Sequence, residues 1–187
     1  MSSIHALPVE LLTRIFLLGA NAEYPYHSSP FLFCPDQVYT SPALDFQISV
    51  SQTCHHWRSI AINTPVLWSW IHFRERGHID RAKTFLARCA PRSKSYTSSH
   101  LLDILITTVS PRDPAPPASL FDNELDEIFK LLVPHTPRWR SFHLYVRDAH
   151  CKAIARHYLS TCGPAPSLVT LQLYHFEEFQ CPDDLFQ

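Results

Sequence analysis

The stretch Leu7–Phe16 reads LPVELLTRIF and predicts an amphipathic helix. Pro8 suits a first helical position, because its φ angle is fixed near the helical value and it has no N–H group to leave unpaired. Glu10 then lies in the first turn, where the helix dipole favours a carboxylate. Apolar residues recur at steps of three and four on one wide stripe: Leu11, Leu12, Ile15, Phe16 and Leu18. We expect this stripe to be buried, either in the chain's own core or against another protein.

A second motif follows some way along the chain. Residues Val50–Ala61 read VSQTCHHWRSIA, and Pro65–Trp68 read PVLW. Together with the first stretch, these residues resemble an F-box, and the resemblance covers residues 4–72. It implies a three-helix module that docks on the Skp-type adaptor of cullin–RING ubiquitin ligases and leaves the rest of the chain to hold a protein substrate.

The resemblance also implies a docking surface. We expect six residues to form or directly support the apolar face offered to the Skp adaptor: Leu7, Pro8, Leu11, Ile15, Val50 and Trp57. Steps of four residues place Leu7, Leu11 and Ile15 on one helical line. Leu12 and Phe16 turn about a hundred degrees from that line and are expected to face the module's own core.

The spacing departs from the usual F-box in one respect. Residues 19–42 form a proline-rich insertion between the first two helices, as is often seen in the fungal F-box proteins that this chain resembles. The second helix is predicted to begin at Ser41–Pro42 and to run towards Cys54. A third helix carries Trp57, and Thr64–Ile71 is predicted as a turn with an extended stretch that closes the module.

The remainder of the chain alternates between helical and extended patterns. Amphipathic or capped helices are predicted over 78–90, from an Asp122 cap, and from an Asp148 cap to a left-handed stop at Gly163. Apolar stretches predict strands over 101–109, 138–146 and 167–174. We expect at most three strands.

These units look repeat-like. Ile104 and Ile106 align with Phe142 and Leu144, and these align with Leu171 and Leu173. The pattern over 168–173 is similar to a leucine-rich repeat, although the asparagine or cysteine that should follow is missing. The predicted fold is therefore α+β, with a three-helix F-box over 4–72 and, over 73–187, helix and strand repeats that resemble the beginning of a leucine-rich-repeat-like solenoid.

Composition bears on the partners. The 187 residues carry a net charge of −1, so the chain has no basic field for nucleic acid or for an anionic membrane surface. No apolar run approaches the roughly twenty residues of a spanning helix, and the sequence begins without a secretory signal. We therefore expect a cytoplasmic or nuclear protein with neither a nucleic-acid nor a membrane partner.

No motif predicts catalysis. The three glycines are too widely spaced for a phosphate loop, and the six cysteines include no Cys-x-x-Cys pair. Cys54 is interpreted as a packing residue whose neighbours His55 and His56 point in different directions on a helix, and the looser set around His150 and Cys151 has no close ligand pair, so neither set is predicted to bind a metal. We expect no metal, no cofactor and no enzymatic activity. The chain is predicted to be a substrate receptor of a Skp–cullin–F-box ligase; the alternative is a protein-interaction scaffold that is not coupled to ubiquitin transfer.

Overall fold

The structure is a computed structural model that describes residues 7–21, 46–90, 100–108, 120–146 and 148–175. These residues form a mixture of helices and strands, as the expected class requires. In chain order the elements are α1 (Val9–Asn21), α2 (Phe46–Thr53), α3 (His55–Ile62), a 3₁₀ turn (Pro65–Trp68), β1 (Trp70–Phe73), α4 (Gly77–Arg88), β2 (Leu102–Thr107), α5 (Asp122–Leu132), a second 3₁₀ turn (Val133–Arg138), β3 (Trp139–Val146), α6 (Ala149–Thr161) and β4 (Thr170–His175).

Helix α1 begins one residue later than predicted. Pro8 precedes the helix, and its carbonyl oxygen accepts hydrogen bonds from the N–H groups of Leu11 and Leu12, each at 3.1 Å. Leu12 and Phe16 are 0% and 1% exposed, so the expectation that these two residues face the core is confirmed. The helix continues through residues 19–21, where the sequence predicted that the insertion begins. The predicted helix start at Ser41–Pro42 lies outside the described residues.

Cys54 separates α2 from α3. Its backbone is extended, with φ at −159°, and its Sγ atom accepts a hydrogen bond from the Trp57 N–H at 3.4 Å. A side-chain acceptor at this position satisfies one of the N–H groups that have no partner within the helix. Cys54 therefore acts as an N-cap rather than only as the packing residue that the sequence predicted.

Trp68 joins the helical part of the chain to the strands. It is fully buried, and its indole Nε1–H donates a hydrogen bond to the Ala61 carbonyl oxygen at 2.8 Å. Its ring packs edge-on against Phe85 of α4, with ring centroids 5.0 Å apart, and the Arg88 guanidinium lies 4.1 Å from the ring centroid. One side chain thus contacts both α3 and α4.

The described strands form one parallel sheet in the order β1-β2-β3-β4. The expectation of at most three strands was wrong, because Trp70–Phe73 pairs with β2 from Trp70 opposite Asp103 to Phe73 opposite Ile106. The sequence predicted only an extended stretch there, since four residues carry no signal for a partner more than thirty positions away. The boundary expected between residues 72 and 73 falls inside β1.

The predicted strand alignment is confirmed. Ile104 pairs with Phe142, and Phe142 pairs with Leu171; the next residues in register are Ile106, Leu144 and Leu173. Alternate residues of a strand point to the same side of a sheet, so these side chains form rows across it. The rows face the helices, since the Phe129 ring of α5 lies 6.3 Å from the Phe142 ring.

Buried polar groups lie on the opposite side of the sheet. Asp103 is 0% exposed, and its carboxylate accepts hydrogen bonds from Arg140 Nε at 3.0 Å, from the Arg140 Nη2 atom and from Ser141 Oγ at 2.6 Å. His143 Nδ1 lies 2.6 Å from Gln172 Oε1 on the next strand. A buried carboxylate is tolerated only when it is paired and hydrogen-bonded, and Arg140 and Ser141 meet both conditions.

The predicted caps are confirmed at α6 and wrong at α5. The Asp148 carboxylate accepts from the Cys151 N–H at 2.7 Å, and Gly163 follows with φ at +78°. At α5, however, Asp122 is the first helical residue, and the side chain of Glu124 accepts from the Phe121 N–H at 3.2 Å. The helix therefore begins one residue earlier than an Asp122 cap implies, and Phe121 occupies the N-cap position.

We predict that Trp68→Ala lowers the free energy of unfolding by about 3–5 kcal/mol, because it leaves a cavity between α3 and α4 and removes the donor to Ala61. Urea unfolding followed by circular dichroism measures this change. Val66→Ala is the matched control, since Val66 is 42% exposed in the same turn and its loss should cost much less. Equal losses for the two variants would contradict the role assigned to Trp68.

We predict that stability falls as the pH drops below about 6.5. Burial, with a smaller contribution from the nearby Arg81, lowers the pKa of His72 to about 2, and burial also lowers the pKa of His143. Below pH 6.5 the unfolded chain binds more protons at these positions than the folded chain does, so each such histidine lowers the free energy of unfolding by up to about 1.4 kcal/mol per pH unit. Urea unfolding at several pH values should give a smaller slope for His72→Asn than for the native chain; identical slopes would contradict the prediction.

Candidate protein-docking surface

The outward side of α1 carries a line of exposed apolar residues. Leu11, Ile15 and Leu18 are 49%, 45% and 60% exposed, and Pro8 precedes them on the same line. We call Pro8, Leu11, Ile15 and Leu18 the outer stripe. Steps of three and four residues keep these side chains on one line of the helix. The structure thus divides the apolar residues of α1 between a buried line and an exposed line.

Two contacts fix the orientation of α1. The ring of Phe16 packs against Trp57 of α3, with ring centroids 5.2 Å apart. On α2, the Phe46 ring lies over Gly19, where an added Cβ would come within 2.3 Å of the ring. Both contacts involve the side of α1 that faces α2 and α3, so they leave the outer stripe uncovered by these helices.

The six predicted docking residues do not lie together on this surface. Pro8, Leu11 and Ile15 are exposed and adjacent, whereas Leu7 is half-buried against the core. Val50 is 5% exposed, so it belongs to the buried core and does not form the surface. Trp57 is half-buried against Phe16, so it supports α1 from its inner side.

Leu18 is a residue that the sequence-based prediction of the docking surface left out. It lies seven positions after Leu11 and three after Ile15, and its side chain is more exposed than either of theirs. Its spacing was the available signal, because a step of seven residues is two helical turns. The prediction missed it because it took the line only as far as Ile15.

A buried donor lies beneath this surface. The Nε1 atom of Trp57 is buried and has no hydrogen-bond partner among the described residues, and the same holds for Nε2 of Gln47 on α2. Leaving a donor of this kind unsatisfied costs about 1–3 kcal/mol. The helices α1, α2 and α3, which we call the three-helix part, therefore contain polar groups without a partner among the described residues in addition to their exposed apolar line.

The sequence drew attention to two groups of cysteine and histidine residues, one at Cys54, His55 and His56 and one around His150 and Cys151. Within the described ranges, no group of three His, Cys, Asp or Glu side chains is placed to hold a metal ion. Cys151 borders a cavity of about 340 Å³ together with Asp122, Asp148 and His150. Burial, together with a hydrogen bond to Asp148, raises the pKa of the Cys151 thiol to about 12, so this cysteine is a neutral thiol and a weak nucleophile at neutral pH.

Among the described helices, none has both the length and the apolar content needed to cross a membrane. Comparison of the chain with protein-family models, with curated proteins and with solved structures finds no match. The outer stripe of α1 is therefore assigned as the candidate site on geometry and chemistry alone.

Proposed function

We propose that this protein is the substrate receptor of a Skp–cullin–F-box type ubiquitin ligase, with its F-box-like helices α1, α2 and α3 bound to the Skp-type adaptor. The motif resemblance over residues 4–72 motivates the proposal. The observation that carries it is the division of α1, in which Leu12 is fully buried while Leu11 and Ile15 are about half exposed, at 49% and 45%. A helix that served only its own core would have no need of the second apolar line.

The outer stripe has the chemistry of a protein interface. Isolated exposed apolar residues are common on protein surfaces, but a contiguous line of them rimmed by polar groups is typical of an interaction site. Exposed Glu10 and Arg14 lie beside the line on the same helix. Burying a leucine or isoleucine side chain stabilises a complex by about 1.5–3 kcal/mol, so the three branched side chains of the stripe supply a substantial part of a specific affinity.

The rest of the chain suits the role of target holder. Each of the strands β1, β2 and β3 is followed by a helix, and the strands lie in sequential order. Stacked strand–helix repeats produce this arrangement, which is consistent with the proposed leucine-rich-repeat-like solenoid. In the proposed role this part binds a target protein, in the cytoplasm or the nucleus, and catalyses nothing itself. It raises the effective concentration of the target near the ubiquitin-conjugating enzyme that the ligase recruits.

We predict that the double variant Leu11→Asp, Ile15→Asp weakens binding of a purified Skp-type adaptor by at least about a hundredfold, because it removes two apolar contacts and buries two carboxylates without partners. Isothermal titration calorimetry measures the affinity, and circular dichroism should show that the variant stays folded. Val66→Asp is the matched control, because Val66 is a comparably exposed apolar residue outside α1. Its adaptor affinity should equal that of the native chain.

Variants of Leu12 and Phe16, the buried residues of α1, separate a loss of folding from a loss of binding. Leu12→Asp and Phe16→Asp place a carboxylate in the core, so both variants should unfold the three-helix part of the chain. Native-like adaptor binding by a folded Leu11→Asp, Ile15→Asp variant would refute the assignment of the outer stripe. If the adaptor binds but no target is turned over in cells, the protein is instead the non-catalytic scaffold.

A further inference from the structure

A second surface is left uncovered by the described elements where β4 runs beside α6. Leu171 and Leu173 of β4 are each 53% exposed, and Val169, just before the strand, is 70% exposed. On α6, Lys152 and Arg156 are exposed as well. We call Leu171, Leu173, Lys152 and Arg156 the open flank.

The apolar part of the open flank continues a buried row. In the preceding strands the residues in register with it are buried: Ile104 at 0%, Phe142 at 0% and Leu144 at 3% exposed. They are buried because helices pack on that side of the sheet, α5 through Phe129 and α6 through Tyr158, whose ring stacks on Phe129 at 5.1 Å. Among the described elements, no helix follows α6 over Leu171 and Leu173.

The polar part of the open flank is basic. Lys152 Nζ lies 3.2 Å from Nδ1 of His175, which places this side of α6 directly beside β4. Arg156 is four residues further along α6 and therefore on the same line of the helix. Neither Ala149–Thr161 nor Thr170–His175 contains an aspartate or a glutamate. An occupant of the flank therefore meets two leucines with two cations alongside.

We propose that the open flank binds an amphipathic helix of a target protein, one that carries leucine-like side chains on one face and acidic residues along its edge. The helix would lie beside α6 as α6 lies beside α5, with its apolar face on Leu171 and Leu173 and its acidic edge towards Lys152 and Arg156. The occupant's role as a target rests on the proposed function, whereas the binding itself does not depend on the α1 surface.

Two other occupants fit the flank less well. A second copy of the chain that pairs through the same flank offers it no carboxylate from α6 or β4, so Lys152 and Arg156 would gain no opposite charge there. The chain's own residues 176–187 are acidic and partly apolar, but Pro182 divides them into stretches of at most six residues, too short for a helix of the length of α6. A peptide-binding experiment distinguishes both alternatives from a target helix.

The probe is a fluorescent synthetic peptide with leucines at the spacing of one helical face and glutamates elsewhere. Its control has lysine in place of every glutamate. Fluorescence anisotropy with the full chain should give a dissociation constant of about 1–100 µM for the acidic peptide and at least about tenfold weaker binding of the basic one. Leu171→Asp with Leu173→Asp should weaken binding of the acidic peptide at least about tenfold. Lys152→Glu with Arg156→Glu should reverse the preference between the two peptides.

Circular dichroism of each variant checks that it remains folded, and the charge-reversal variant keeps the test valid if the leucine variant does not fold. Equal binding of both peptides, or no change in either variant, would overturn the proposal. It would also be overturned if the native chain dimerises through the flank in light scattering, or if it binds the peptide only after Glu177→Gln and Glu178→Gln. The Leu11→Asp, Ile15→Asp variant should bind the acidic peptide normally, so failure at α1 and failure at the flank are distinguishable.

Discussion

The packing of Trp68 between α3 and α4 is the contact on which the described structure most depends. The indole is fully buried, and its single donor is satisfied by the Ala61 carbonyl oxygen at the end of α3. Two residues later the chain enters β1, so the position of this ring fixes where the sheet begins relative to the helices. Phe85 and Arg88 then hold α4 against the same ring. The three-helix part and the sheet consequently share one core.

That shared core explains why α1 can serve two surfaces. Leu12 and Phe16 are buried in the core and keep the helix in place, so Leu11 and Ile15 are not needed for its stability and stay exposed. A helix turns by about a hundred degrees per residue, and consecutive leucines can therefore face different environments. The proposed docking role uses the line that the fold does not need.

The two exposed apolar surfaces have different physical origins. The outer stripe lies on a helix whose inner line is fully buried, whereas Leu171 and Leu173 belong to a row whose members in β2 and β3 are buried. The outer stripe is a second apolar line on a helix that already buries its inner line in the core. Leu171 and Leu173 instead extend a core row past α6, the last helix that the structure describes. This difference is why we assign the stripe to a dedicated partner and the flank to an occupant that resembles one more helix of the fold.

Features that depend on neighbours a few residues apart could be predicted from the amino-acid sequence, whereas features that depend on distant residues required the folded chain. Periodicity placed α1 and separated Leu12 from Leu11, and local chemistry identified the Asp148 cap and the Gly163 stop. By contrast, Trp70–Phe73 is a strand because β2 pairs with it, and Asp103 is tolerated inside the sheet because Arg140 reaches it. A local pattern contains no information about such partners, since the pairing energy arises only when folding brings them together.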